Sequence, residues 1–332
     1  MVRDRCIYSF NGALYKMTGV QKVMLDIHHA VSNTYEAYIA GTIPYDRIHK
    51  DMGVKPSEYK RVRNPFMFYR SIVIVHERKY LWVFWLLNHL LLQRIRIVYI
   101  HHNIFSNLRR ASIMPRTVVS ISDRCTENLT QYFKVPPSHI HKIHNCVADI
   151  HPPCHRTPSG DTITLLYPAR INDVKRQPEI VERLRGRLNN NIRILFAGDG
   201  PLLEELQKVT ASSSQFTALG YVSDVPSLMQ QSDYMLLFSK HEGLPITLIE
   251  AAMCGLPIVC NDVGGNTEIA VDGKNAFVVN DWEDLIATIN RLAETNSKRY
   301  GEMSEASRKI YEEHYTFDTF KKNYLALLDS LD

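Results

Sequence analysis

An α/β architecture, with two doubly wound parallel-sheet domains in one chain, is what this sequence predicts. Three observations carry that expectation. Short apolar runs alternate with helix-like stretches, the pattern of strands covered on both faces by crossover helices. The 332 residues suffice for two buried cores. A Pro-rich break, HPPCHRTPSGDT at 151–162, separates the halves as an inter-domain linker would.

In the first half, RCIYSFNG reads as a first strand and TGVQKVMLDIHHAV as a loop entering a helix. SIVIVHE (71–77), IRIVYIHHN (95–103) and TVVSIS (117–122) read as strands, with the apolar run at 80–92 a buried crossover helix between two of them. The second half is more regular. TITLLYPA (162–169) is a strand followed by a helical stretch to about 188, and IRILFAG (192–198) enters a glycine turn before the helical PLLEELQKV. FTALG (216–220) precedes DVPSLMQQ, and YMLLFS (234–239) precedes HEGLPITLIEAAMCGLPIV. LPIVCN (256–261) and NAFVV (275–279) complete six strand units, enough for a doubly wound domain. Helices at 281–295 and 298–313 follow, then a terminal one from Phe317.

With 45% hydrophobic and 22% charged residues, the composition is that of a soluble globular protein. The charged start MVRDRC gives no signal peptide, and the run YLWVFWLLNHLLLQRI, broken by Asn88 and His89, is too short to span a bilayer. Six scattered cysteines without a CxxC pair read as reduced thiols in a cytosolic compartment. The net charge of +4 hides an asymmetry: residues 1–150 hold 21 Lys/Arg against 10 Asp/Glu, and residues 151–332 hold 18 against 25. A half at +11 allows two readings, a solvated basic face or a surface for an anionic partner such as a membrane, an acidic sugar or a nucleic acid.

The chemistry concentrates at His241–Val259. A helix must begin near Pro245 or Ile246 and end at Gly255, with Pro257 beyond it. Glu242 then precedes the helix and Glu250 lies one turn inside it, while the amides near Ile246, Thr247 and Leu248 point out of its start. That is an anion site at the carboxyl end of a parallel strand. Carboxylates on either side of a phosphate cradle suit hydroxyl groups flanking a diphosphate. Spacing alone equally allows Glu242 to complement the helix dipole and Glu250 to be an ordinary surface residue.

HEGLPITLIEAAMCGLPIVCNDVGGNTEIAVDGKNAFVV resembles the E-x7-E region and the following tail of the retaining glycosyltransferases of family 4, which adopt the GT-B fold. YPARINDVKRQPEIV, ILFAGDGPLLEELQ and ALGYVSDVPSLMQQSDYMLLFS resemble the segments that precede it, and six elements occur in the family's order. The first half is similar more loosely, through TGVQKVMLDI, HHNIF, VVSISD and IHNCVAD. The resemblance implies two Rossmann-like domains with a cleft between them. Residues 1–150 would form the acceptor-side domain, 160–315 the donor-binding domain, and a terminal helix at 317–331 would pack back on the first. It implies a retaining, metal-independent hexosyltransferase of polysaccharide biosynthesis, since no DxD stands where a metal would be held.

In that reading a nucleotide-diphosphate-sugar is the donor substrate, no cofactor is needed and the acceptor is a glycan or lipid-linked. Arg170 and Lys175 are similar to the pair that neutralises the diphosphate, and Glu250 to the residue holding the ribose hydroxyls. Glu242 corresponds to the residue facing the donor sugar, with Gly243, Leu244, Pro245, Ile246, Thr247 and Leu248 around sugar and phosphate. Tyr221 and Val222 resemble the base-binding edge. Gly19 matches the second glycine of the N-terminal phosphate loop, whose first position here is Thr18. His102, or its neighbour His101, matches the active-site histidine. Cys146 replaces a glycine in HNCVAD, at a turn that would need positive φ. The Trp82, Phe84 and Trp85 run also fits an interfacial site for a lipid-linked acceptor. The protein is expected to be cytoplasmic, with contact at the anionic inner face of a membrane left open and no nucleic acid partner. The alternatives are a GT-B sugar-nucleotide epimerase and a non-catalytic sugar-nucleotide-binding subunit.

Two features point elsewhere. His139, His141, His144, His151, His155, Cys146 and Cys154 are legitimate zinc ligands, but their spacings fit no CxxC or HxxxH arrangement, and linker chemistry is preferred. Gly198 and Gly200 in FAGDGPL suggest a dinucleotide fingerprint, yet Leu203 stands where its third glycine belongs.

Overall fold

The computed structural model describes residues 3–92, 94–149 and 162–331. The chain divides into two compact units: the first runs to Cys146 and resumes at Phe317, and the second is Val147–Thr316. Most of the 151–162 linker, with His151, Cys154 and His155, lies outside the described residues.

The first unit is built on a seven-stranded, wholly parallel sheet: β1 (Arg3–Phe10), β2 (Tyr35–Gly41), β3 (Tyr59–Arg61), β4 (Ile72–Val75), β5 (Arg96–His101), β6 (Thr117–Ser120) and β7 (Ile140–Lys142). Its order is β3-β2-β1-β4-β5-β6-β7, so the winding reverses between β1 and β4. Helix α1 (Gly19–Val31) buries Val23, Met24, Ile27, Ala30 and Val31 at helical spacing. The short α3 (Asp123–Glu127) starts at Ser122, whose hydroxyl caps the amide of Cys125 at 3.1 Å. The terminal helix α11 (Phe317–Asp329) packs against α1, and Tyr324 is fully enclosed there.

The apolar run at 80–92 does form a helix, α2 (Leu81–Leu90), but not a buried one. Leu81, Phe84 and Leu87 enter the core, whereas Trp82, Val83, Trp85, Leu86 and Leu90 face solvent. One helix laid on one sheet face can bury only one stripe, whatever the polarity of the rest. The apolar pattern does not announce strands β2 and β3: Glu36 interrupts it in β2, and β3 is three residues long.

The second unit has six parallel strands: β8 (Ile163–Pro168), β9 (Ile192–Ala197), β10 (Phe216–Gly220), β11 (Tyr234–Leu237), β12 (Ile258–Asn261) and β13 (Ala276–Val279). Their order, β10-β9-β8-β11-β12-β13, reverses between β8 and β11. Strands β11 and β12 are buried at every residue, as near-continuous apolar runs require, while β10 alternates because it is the edge. The covering helices are α4 (Gln177–Leu184), α5 (Leu203–Thr210), α6 (Val225–Gln230), α7 (Ile246–Met253), α8 (Asn266–Ile269), α9 (Trp282–Arg291) and α10 (Ser297–His314). Helix α4 stops short of the expected 188 because Arg185 turns extended and Gly186 takes φ +71°. Cys6, Cys125, Cys146, Cys254 and Cys260 carry reduced thiols, and no helix among the described residues is long and apolar enough to cross a membrane.

Candidate functional site

In a doubly wound sheet the loops leaving the two strands at the reversal diverge and leave a crevice. In the second unit those loops follow β8 and β11. The first carries Arg170 and Lys175, the second Glu242 and the start of α7. Lys175 and Glu242 meet across it, Nζ to Oε1 at 2.6 Å, with side chains only 18% and 8% exposed. The Lys175 backbone is fixed as well: Tyr167 at the end of β8, fully buried, donates its phenol to the Lys175 carbonyl at 2.7 Å. Burial pushes that phenol well above its usual range, so it stays a donor. The neighbouring cation has another task, since Arg176 lies over the Trp282 ring at 4.4 Å and pairs with Glu179 at 2.9 Å. Arg170 is exposed, and its guanidinium makes no ion pair among the described residues.

Two backbone approaches fix this geometry. Gly198 and Gly200 are not a dinucleotide turn: a Cβ on either would lie 2.0 and 2.2 Å from the carbonyl oxygens of Ala169 and Ile171. They let the β9 loop run against the segment bearing Arg170, which donates from Ile171 to the Asp199 carbonyl at 2.9 Å. Gly264, at φ +60°, does the same for Glu242, whose carbonyl oxygen would sit 2.2 Å from an added Cβ. Asn261 ties the β11 and β12 ends together, accepting from the Ser239 amide at 3.2 Å and donating to its carbonyl at 2.8 Å.

Helix α7 begins at Ile246 with Pro245 as its N-cap and stops before Gly255, at φ +70°. One expected donor is already used: the Leu248 amide donates to the Pro245 carbonyl at 3.1 Å, because the first turn closes on the proline. The outward donors are therefore Ile246 and Thr247, and the Thr247 hydroxyl is buried with no hydrogen-bond partner among the described residues. A buried orphan hydroxyl at a helix start suits a ligand oxygen. Gly243, Leu244 and Pro245 are buried, and Glu250 is half-buried one turn into α7. Tyr221, 67% exposed, and Val222 follow directly on β10, on the same carboxyl edge of the sheet.

The first unit repeats the arrangement at its own reversal. A cavity of about 490 Å³ is lined by residues following β1 (Asn11, Ala13), β4 (His76, Glu77) and β5 (His102, Asn103), together with Thr18 and Gln21 at the start of α1. Gly19 is exposed as the first residue of α1, and Thr18 before it is extended at φ −146°, a conformation threonine adopts without strain. Of the two candidate histidines, His101 points away. Asn128, oriented by bonds to both backbone groups of Phe105, accepts from its Nε2 at 3.0 Å. His102 borders the cavity and pairs through Nε2 with His76 Nδ1 at 3.1 Å.

His76 is the residue the sequence reading missed, hidden inside a strand pattern. Its other nitrogen, Nε2, is buried without a partner among the described residues. A buried lone pair is cheaper to orphan than a buried N–H. His76 is therefore protonated on Nδ1 and donates to His102, which carries its own proton on Nδ1. Burial, and then the neighbouring His101, lowers His102 to about 3, and burial holds His76 well below its usual range. Glu77 accepts from the Gly12 amide at 2.6 Å and pairs with Lys79 at 3.0 Å, while Arg78 is pinned by Asn107 and lies over Phe105.

No group of three or more metal-binding side chains occurs among the described residues; His139 lies in the turn before β7 and His141 on that strand. Cys146 is buried without positive φ, so the turn anticipated at the missing glycine is not made.

Two parallel sheets, each wound in the Rossmann order with charged loops at its reversal, form the GT-B architecture. Residues 155–310, a little under half of the chain, match the family model of glycosyl transferases group 1. The fold is similar to that of Anabaena HepE in complex with UDP, at TM-score 0.83 and 16% identity, covering 98% of this chain and 100% of that one. A second HepE structure holds UDP-glucose. The lipopolysaccharide outer core galactosyltransferase WaaB superposes at TM-score 0.77 and 17% identity, over 98% and 100% of the two chains. Among curated sequences, the Vi polysaccharide biosynthesis protein VipC/TviE of Salmonella typhi is 35% identical over 96 residues, 28% of this chain and 17% of that protein. A phosphatidylinositol N-acetylglucosaminyltransferase component of Arabidopsis thaliana is 29% identical over 205 residues, 58% and 45% of the two. The Escherichia coli UDP-Gal:alpha-D-GlcNAc-diphosphoundecaprenol alpha-1,3-galactosyltransferase is 29% identical over 119 residues, 34% and 30%. The chain spans less than half the length of these curated relatives. It has the GT-B fold, and its residues 155–310 match the glycosyl transferases group 1 model.

Proposed function

We propose that the protein is a retaining glycosyltransferase that moves a sugar from a nucleotide-diphosphate-sugar to a glycan or lipid-linked acceptor in polysaccharide synthesis. The observation that carries this is the Lys175–Glu242 pair at the β8/β11 reversal, beside a helix start whose buried Thr247 hydroxyl has no partner among the described residues. The diphosphate lies on the Ile246 and Thr247 amides, with Arg170 and Lys175 balancing the charge it gains as a leaving group. Lys175 moves from Glu242 towards phosphate, and Glu242 turns to the sugar hydroxyls. Glu250 takes the ribose, and Tyr221 and Val222 border the base. Gly243 to Leu248 line the sugar and phosphate path, and Gly19 leaves the start of α1 open to close approach by a phosphate.

The C1–O bond to the diphosphate breaks as the acceptor oxygen bonds to C1 on the same face. The acceptor's proton passes to the departing diphosphate oxygen. His102, neutral and donating from Nδ1, orients a hydroxyl and stores no proton. No divalent ion and no cofactor is required, and the site works at the cytoplasmic face of a membrane.

Since the HepE complexes hold UDP and UDP-glucose, UDP-sugars head the test panel. Thermal shift against nucleotide sugars identifies the donor, because a ligand of the folded state raises the melting temperature. Transfer assays with chelator, and NMR of the product anomer, follow. An inverted anomer overturns retention, and release of an isomerised nucleotide sugar overturns transfer.

A further inference from the structure

Helix α2 is apolar on the side it shows to solvent. Its outward arc carries Trp82, Val83, Trp85, Leu86, His89 and Leu90, which at the helical period cover roughly 160° of its circumference. Five of the six are large hydrophobics, Leu90 70% exposed and Trp82 55%, where a helix facing only water carries charge. The surrounding sequence is one-sided: residues 78–122 contain seven Lys/Arg and no Asp or Glu. Arg94 and Arg96 leave the C-terminal end of α2 exposed, and Arg109 and Arg110 stand exposed beside Leu108, itself 67% exposed. Trp82 and Leu108 both line the cavity that holds His102.

We propose that this face docks on a bilayer with anionic headgroups, α2 lying in the interface with Trp82 and Trp85 at headgroup depth. Indole rings favour that depth, and the arginines meet lipid phosphates rather than a protein surface. With Trp82 on its rim, the cavity opens at the membrane, where a lipid-borne acceptor presents its polar head. The docking follows from the surface alone, and its use in acceptor delivery rests on the transferase reading above.

The test uses the full chain with vesicles free of donor and acceptor, so its outcome is independent of whether transfer occurs. The protein should sediment with phosphatidylcholine–phosphatidylglycerol vesicles and not with phosphatidylcholine alone. Brominated lipid should quench Trp82 and Trp85 and spare Trp282. Trp85→Ser with Leu90→Gln, both exposed positions, should lower partitioning at least tenfold, as should Arg94→Glu with Arg96→Glu, at about fivefold or more per charge. Unchanged melting temperatures would show that the variants fold. Equal binding to both vesicle types, or wild-type protein that is a dimer and turns monomeric in Trp85→Ser/Leu90→Gln, would overturn the proposal, the second result assigning the face to another copy of the chain.

Discussion

Replacing Lys175 by Met should cost the second unit stability, and the cost should not grow if Glu242 is changed with it. The Glu242 side chain is 8% exposed, and Lys175 Nζ at 2.6 Å is its hydrogen-bond partner. Two unit charges about 4 Å apart attract by about 4 kcal/mol at an effective dielectric of 20, and desolvation takes back a large share. Breaking a fully buried pair costs about 3–5 kcal/mol, and this pair keeps some contact with water. We therefore expect about 2 kcal/mol for Lys175→Met and for Glu242→Gln alone, but only about 1–2 for both together. The interaction energy is then about 2–3 kcal/mol, well above the roughly 0.5 kcal/mol scatter of independent sites. For a unit of this size each single change lowers the melting temperature by about 4–8 °C. Trp282, its ring tilted against Phe238 with centroids 4.7 Å apart, reports the unit's unfolding once Trp82 and Trp85 are changed to Phe. Single effects that simply add would refute the view that the two charges depend on each other.

Three further outcomes are expected. Acid should unfold the first unit selectively: His101 and His102, lowered to about 4 and about 3, and His76 bind protons more readily when unfolded. The stability their neutral forms preserve is complete above the unfolded value of about 6.5 and is lost as pH falls towards the folded values, about 2 kcal/mol each for His101 and His102 by pH 5; a flat urea midpoint from pH 7 to pH 5 would contradict this. Imidazole nitrogen NMR at neutral pH should find His102 protonated on Nδ1, with His76→Leu releasing that preference; an Nε2–H form in the wild type would refute the pairing. Gly264→Ala should destabilise the second unit by about 2–4 kcal/mol, combining positive φ with overlap on Glu242, whereas Gly273→Ala, at φ +66° in open space, should cost about 1; equal melting temperatures would remove the steric role assigned to Gly264.

What the sequence made legible here was local. The start of α7 could be read from Pro245, its end from Gly255, and the two sides of the helix from the spacing of Glu242 and Glu250, because a helix maps sequence distance directly onto position. Buried parallel strands such as IVCN announced themselves by unbroken apolar runs. The same signal misled at α2, since hydropathy counts apolar residues without knowing which face finds a partner. Gly198 and Gly200 misled in the other direction: the two-glycine pattern reports close backbone approach, and only the fold shows that the approaching backbone is Ala169–Ile171 rather than a ligand.

The contacts that make the sites are of another kind. Lys175 and Glu242 are 67 positions apart, and His76 and His102 are 26 apart. The first pair meets because β8 and β11 are neighbours at the reversal of winding, and the second because β4 lies beside β5. No period in the chain encodes those adjacencies; they follow from strand order, which propensity and pattern leave open. A search for sites in such a sheet therefore gains by taking the residues just past each strand and pairing those whose strands flank a reversal. That rule would have joined Lys175 to Glu242, and Asn11 to His76, before any distance was measured.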